Sequence, residues 1–186
     1  MGRLIYSAIG SLDGYLADDA GDFGWAVPDE EVLADVNAEA RAVGTYLYGR
    51  RMYEMMTGWE TDPSVAAQSP ESAEFAEIWQ AADKVVYSTT LESVTTRRTR
   101  LERSFDAAQV EKVKDDSAGD LYVDGPTLAA HALRLGVVDR LHLIVCPVVI
   151  GGGLAILPDG VRLGLRLDGE RRYGNGMVGL RYEVVR

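Results

Sequence analysis

Two arginines directly behind a glycine are the most openly chemical feature of this chain, in the stretch Tyr46-Leu47-Tyr48-Gly49-Arg50-Arg51-Met52-Tyr53-Glu54. An apolar run rich in β-formers stops at Gly49, and the pattern beyond the arginines turns helical. A strand feeding a glycine and then a helix start gathers free backbone N–H groups and the positive end of a helix dipole at one spot. Guanidinium groups at Arg50 and Arg51 add planar donors that match phosphate oxygens. The chemistry implied is an anion-binding corner for a nucleotide phosphate. The plainer alternative is a tight turn with two solvated arginines.

Other reactive side chains point nowhere comparable. His131 falls in a helical pattern and His142 in a strand, without metal-ligand spacing, and Ser7 and Ser11 lack the context of a nucleophile elbow. Cys146 is the single cysteine, so there is no disulfide framework and no cysteine-based zinc site, and a reducing cytoplasm fits. With 186 residues and 47% apolar composition the chain is expected to form one domain with a substantial core. Its formal charge of −10 argues against nucleic acid or an anionic membrane as partner, though a local basic cluster can still hold a small anion. The N-terminus shows no signal-peptide pattern, and no apolar run reaches membrane-spanning length.

The elements that must position the arginine corner read as an alternation of strands and helices. Residues 3–9 form a buried strand running into a loop over 10–25, whose glycines and aspartates suggest mobility and function. Asp29 caps a helix with Glu30 and Glu31 in its first turn and a stripe of Val32, Leu33, Val36, Ala40 and Val43. Residues 62–70 read as a surface loop, and Ser69-Pro70-Glu71 opens a helix carrying Phe75, Ile78, Trp79 and Ala82 on one face. A strand over 84–89 follows, then a connection holding Arg97, Arg98, Arg100 and Arg103, a short helix over 105–114 and a strand at 121–123. Asp124-Gly125-Pro126-Thr127 turns into a helix over 128–135 that Gly136 ends. Residues 141–149 read as a central strand interrupted by Pro147. The strands 163–173 and 177–185 form a hairpin around Gly174-Asn175-Gly176. The sum is an α/β domain with a mostly parallel sheet and an antiparallel C-terminal hairpin.

The order of these segments resembles the dihydrofolate reductase-like superfamily: Ser11-Leu12-Asp13-Gly14 after the first strand, Trp25 closing the loop, Gly49-Arg50-Arg51, Ser88-Thr89, then Asp124-Gly125 opening a late helix. Across the whole chain it is most similar to the reductase domain of the bacterial bifunctional riboflavin-biosynthesis deaminase-reductase, in stand-alone form. The resemblance implies a three-layer fold and NADPH as hydride donor to a carbon–nitrogen or carbonyl-type double bond. It implies that Gly49, Arg50, Arg51 and Met52 touch the cofactor phosphates, with Ser88 and Thr89 near the adenosine. Gly125, Pro126, Thr127 and Leu128, headed by Asp124, would hold the pyrophosphate at a helix start. Ala8 and the loop from Leu16 to Gly21 would lie over the nicotinamide.

Trp25-Ala26-Val27-Pro28-Asp29-Glu30 is similar to the tryptophan, proline and acid spacing of the dihydrofolate reductase substrate site. This makes Glu30 the expected catalytic acid, a buried carboxylate of raised pKa, with Asp29 and Glu31 as alternatives and helix-dipole acids as the plainer reading. Trp25, Val27 and Leu33 would border the substrate, with Met52 and Met56 opposite and Tyr53 at the rim. Such a lining suits a small flat nitrogen heterocycle, of pterin or aminouracil type. By the same resemblance the late strand and terminal hairpin imply a homodimer.

Two departures stand out. Asp124 occupies a position where dihydrofolate reductases usually have the first of two glycines, and a carboxylate there would repel a pyrophosphate. The chain also lacks a deaminase-type zinc signature, having one cysteine and two histidines, so no deaminase half is expected in it. The expectation is therefore an NADPH-dependent reductase, formally like 5-amino-6-(5-phosphoribosylamino)uracil reductase. The alternatives are a dihydrofolate or pterin reductase, or a nucleotide-binding homodimer that has lost the chemistry.

Overall fold

The structure is a computed structural model and describes residues 2–185. The chain opens with β1 (Leu4–Ser11), turns into the short β2 (Tyr15–Ala17), passes a single 3-10 turn at Gly24–Ala26 and enters α1 (Glu30–Ala40). Asp29 caps α1 by accepting from the Val32 N–H at 3.0 Å, and Val32 and Ala40 are buried on its inner face. Val43, expected to extend that stripe, instead begins β3 (Val43–Gly49), because the chain leaves the helix after Ala40. Then come α2 (Arg50–Met56), α3 (Gly58–Thr61), α4 (Pro63–Ala66) and α5 (Pro70–Ala81). The expected surface loop over 62–70 thus contains one helical turn, nucleated where Asp62 caps Ser64 and Pro63 takes the first position.

The second half follows the alternation through β4 (Asp83–Tyr87), β5 (Thr99–Glu102), α6 (Ala107–Asp116), β6 (Asp120–Asp124), α7 (Pro126–Arg134) and β7 (Arg140–Cys146). The chain closes with β8 (Leu154–Ala155), β9 (Gly164–Arg172) and β10 (Val178–Val185). β5 corrects the reading of the arginine-rich segment as a mere connection: among the described residues it is an edge strand paired with β4 alone, polar except for Leu101, which packs on the core. Ser69 caps α5 and Pro70 takes its first turn as expected. β7 stops at Cys146 because Pro147 has no N–H to continue the ladder.

Eight strands form one sheet in the order β5-β4-β3-β6-β1-β7-β10-β9. β10 runs antiparallel to β7 and to β9, while the pairs from β5 to β7 are parallel. α6 and α7 cover one face through Val110, Val113, Leu128, Ala129, Ala132 and Leu133, against Leu4, Leu47, Leu121 and Val123 of the strands. α1, α2 and α5 cover the other, with Tyr53, Phe75 and the fully buried Trp79 packed on Tyr46, Tyr48 and Tyr122. The indole of Trp79 donates to the Tyr48 hydroxyl at 2.9 Å, so its one polar atom is satisfied within the core. The result is the expected three-layer arrangement. All parallel strands deliver their C-terminal ends to one edge, where an open α/β sheet binds its ligands. Among the described residues, no helix is long and apolar enough to cross a membrane.

Candidate active site at the strand ends

Adjacent strands β3 and β6 place the two glycine corners side by side. Tyr48 is in register with Asp124, so Gly49 and Gly125 follow as neighbours at the sheet edge. α1, α4, α5 and α6 are each capped by a side chain, from Asp29, Asp62, Ser69 and Asp106. α2 and α7 start instead at Gly49 and Gly125, and neither has a side-chain cap. Their first-turn N–H groups therefore lack the usual internal acceptor, and both dipoles converge on one corner. Gly125 holds φ at 87°, and a Cβ added there would fall 3.1 Å from the Met52 Cβ, so the starts of α2 and α7 touch. A Cβ on Gly49 would lie 3.9 Å from the Leu128 Cβ, which leaves the backbone open to approach.

The arginines differ in their availability. Arg50 bonds Glu54 at 2.7 Å through Nε and the Thr90 hydroxyl at 3.2 Å through Nη1. Arg51 is exposed and has no ion pair among the described residues. Ser88 sits one residue past β4, its hydroxyl accepting from the N–H groups of Thr90 and Leu91 at 3.2 and 3.0 Å, with Thr89 exposed at the tip. Pro126 and Thr127 open α7, and Leu128 is buried behind them. Met52 packs inward against the tyrosine-rich core, so a phosphate at this corner would meet backbone there and not its side chain.

The loop expected over the nicotinamide is tied down at several points. Asp13 accepts from the N–H groups of Ile150 and Gly151 at 3.2 and 2.7 Å, and the Ser11 hydroxyl, together with these bonds, holds its carboxyl below the usual range. Ser11 accepts from the Tyr15 N–H at 3.0 Å, and β2 pairs with β8. The Ser11-Leu12-Asp13-Gly14 segment is thus a clasp between two loops. Ala8 is buried in β1 on the α7 side, Leu16 packs on that same core, and Gly21 is an exposed turn residue with φ of 83°.

The expected substrate side is only partly assembled. Glu30 is exposed at the first position of α1, which corrects the expectation of a buried acid there: Asp29 takes the cap and Glu30 turns outward. Glu30 and Leu33 line an open groove with Pro28, Gln68, Ser69 and Ser72. Val27 is 66% exposed, whereas Trp25 packs beside Val32 and Ile144, with its indole N–H buried and unpartnered. Met52 and Met56 belong to the cluster under α2 and do not share that groove. Tyr53 is not at a rim but 2% exposed, and its hydroxyl accepts from the Thr95 and Thr96 N–H groups at 2.8 and 3.1 Å. It faces inward because it lies one turn into α2, on the side that packs on the sheet.

Two features have little signal in the sequence. The first is a polar network beneath α1. His142 Nδ1 lies 2.8 Å from Glu39 Oε2, Arg181 bonds Glu39 and reaches Asp35 Oδ2 at 2.9 Å, and Tyr122 donates to Glu39 at 3.2 Å. Burial raises Glu39, but His142 and Arg181 outweigh it and hold the carboxyl low. Asp35 and Glu39, four apart on one face of α1, were the available hint that cations must meet them. The second is Asp124, 9% exposed at the end of β6 and pushed up to about 7 by burial.

The chain matches, over residues 3–179, the family model described as the RibD C-terminal domain. It is 24% identical over 183 residues to the Bacillus subtilis (strain 168) protein YyaP, covering 97% of this chain and 94% of that one. Among solved structures, a putative riboflavin biosynthesis protein from Shewanella sp. PV-4 superposes with a TM-score of 0.78 at 20% identity, covering 99% of each chain. Dihydrofolate reductase from Enterococcus faecalis, solved with NADP(H), superposes with a TM-score of 0.64 at 11% identity, over 100% of this chain and 98% of that one. These likenesses establish the dihydrofolate reductase-like fold.

Proposed function

The chain belongs to the RibD C-terminal domain family, and on that premise we propose that it is a cytoplasmic, homodimeric, NADPH-dependent reductase of the riboflavin-pathway type. The observation that carries this reading is the pair of uncapped helix starts at Gly49 and Gly125, set side by side with the unpaired Arg51 beside them. Such a corner offers backbone donors, two dipole ends and a guanidinium, the donor set that dinucleotide phosphates require. Gly49, Arg50 and Arg51 with Thr127 and Leu128 would hold the phosphates, and Ser88 and Thr89 the adenosine side. When bound, the cofactor would supply a hydride from its nicotinamide. Ala8 and the Leu16–Gly21 loop would lie over that ring.

The substrate we propose is a flat nitrogen heterocycle, formally 5-amino-6-(5-phosphoribosylamino)uracil, entering by the groove between α1 and α5 that Glu30 and Leu33 line. Trp25 does not line that groove: it packs on the cluster of Val32 and Ile144, with its indole N–H buried and unpartnered among the described residues. The test is a fluorescence titration with NADPH and NADH, followed by NADPH consumption with the aminouracil and with dihydropterins. Saturable NADPH binding with turnover of one heterocycle is expected. Binding without turnover of any of them would favour the nucleotide-binding alternative, and no binding would overturn the proposal.

A further inference from the structure

We propose that the substrate of this chain carries no phosphate: it is an amino-bearing heterocycle taken as the free base or the neutral riboside. The inference rests on the reductase reading above and narrows its substrate class. The phosphate of a phosphoribosyl group carries about −1.5 to −2 charge near neutrality. A site that holds such a group must meet it with cations or with free N–H groups at a helix start.

The groove between α1 and α5 supplies neither. Its charged lining residues are Asp29, Glu30 and Glu31, and no lysine or arginine is among the residues that line it. Both helices that frame it begin there with side-chain caps in place. Asp29 accepts from the Val32 N–H at 3.0 Å, and Ser69 accepts from the Ser72 N–H at 3.0 Å. Pro70 opens α5 and has no N–H to offer. The corner at Gly49 and Gly125 is the reverse: two uncapped helix starts, beside an Arg51 that has no ion pair among the described residues. One edge of the fold is thus built to receive an anion and the groove to repel one.

The arginines that reach α1 are already committed. Arg41 pairs with Glu74 of α5, Arg171 with Glu31 and Asp35, and Arg181 with Asp35 and Glu39. Turning one of them toward a phosphate would strip a carboxylate of its partner. Glu31 is partly offset, by Arg171 at 3.7 Å and by the Gly174 N–H at 2.8 Å. Asp29 and Glu30 have no cation partner among the described residues. A phosphate seated in the groove lies within the screening distance of about 8 Å from them, so their repulsion is felt. The same carboxylates, with the Gln68 amide oxygen, accept hydrogen bonds from ring N–H and amino groups. That lining selects an amino-substituted heterocycle of neutral or positive charge.

The test measures NADPH consumption, at saturating cofactor, with 5-amino-6-ribosylaminouracil, with its 5′-phosphate and with a dihydropterin. The phosphate-free compounds should exceed the 5′-phosphate in kcat/KM by about tenfold or more. Added salt should screen the repulsion and narrow that ratio. Glu30→Lys should narrow it too, by lowering KM for the 5′-phosphate about fivefold. Calorimetry of the riboside and its 5′-phosphate on the protein with oxidised cofactor reads the same preference without turnover. A parent that prefers the 5′-phosphate, or a ratio that neither salt nor Glu30→Lys moves, would overturn the proposal and leave the reductase reading standing. If the parent neither binds NADPH nor turns over any heterocycle, both fall.

Discussion

Met52 and Gly125 meet across the corner: a Cβ on Gly125 would lie 3.1 Å from the Met52 Cβ, at a residue whose φ is 87°. Gly125→Ala therefore adds backbone strain to a close contact. It should lose about 1–3 kcal/mol in urea denaturation. Gly49→Ala is the informative partner, because its backbone is extended and the new Cβ meets nothing closer than 3.9 Å. That variant should fold with nearly parental stability and lose NADPH affinity. Equal cofactor binding by parent and Gly49→Ala would remove Gly49 from the phosphate site.

Asp124 makes stability depend on pH. Its carboxyl is raised by burial from 3.8 to about 7 in the folded state, so the folded protein holds the proton more tightly than the unfolded chain. Its contribution is therefore full below about pH 4 and declines as pH rises through 7. Asp124→Asn should remove that decline and be more stable than the parent at pH 8 by a few kcal/mol, because each tenfold difference in proton affinity is worth about 1.4 kcal/mol. Parallel denaturation curves for parent and variant from pH 5 to 8 would contradict the burial cost.

Tyr53 holds the 94–96 segment through two backbone N–H groups. Tyr53→Phe leaves the Thr96 donor buried without an acceptor, at a cost of about 1–3 kcal/mol. Thermal denaturation should show the loss, and the ratio of NADPH to NADH affinity should not change. A changed ratio would return Tyr53 to the binding site.

What the sequence revealed follows the range of the interactions involved. The caps Asp29 and Ser69 act within three residues, so local chemistry places α1 and α5 correctly. The apolar runs at β3, β6 and β7 mark strands buried on both faces. β5 carries the polar residues of an edge, and Thr99-Arg100-Leu101-Glu102 has no apolar period to betray it. Tyr53 and its partners are 42 and 43 residues apart, and His142 and Glu39 are 103 apart, so nothing local could join them. The corner glycines and Arg51 were legible because a strand, a glycine and a helix start follow one another in the chain. The burial of Asp124 was not, since it comes from the place of β6 between β3 and β1, far apart in the chain.

Among the described residues the outer edge of β9 is unpaired, and Leu165 and Leu167 on that strand are 41% and 51% exposed. An edge of this kind invites pairing with a second copy. Light scattering at micromolar concentration should report a dimer, and Leu167→Lys should shift it toward monomer. A parent that is monomeric there would contradict the assembly.

The central claim is that the Gly49 and Gly125 corner with Arg51 selects a dinucleotide carrying the extra phosphate, and a fluorescence titration of NADPH and NADH on the parent and on Arg51→Ala tests it most directly. One charge-assisted hydrogen bond is worth about 1.5–3 kcal/mol, so Arg51→Ala should weaken NADPH by roughly tenfold to a hundredfold and NADH far less. Equal losses for the two cofactors, or no saturable binding of NADPH to the parent, would contradict the account.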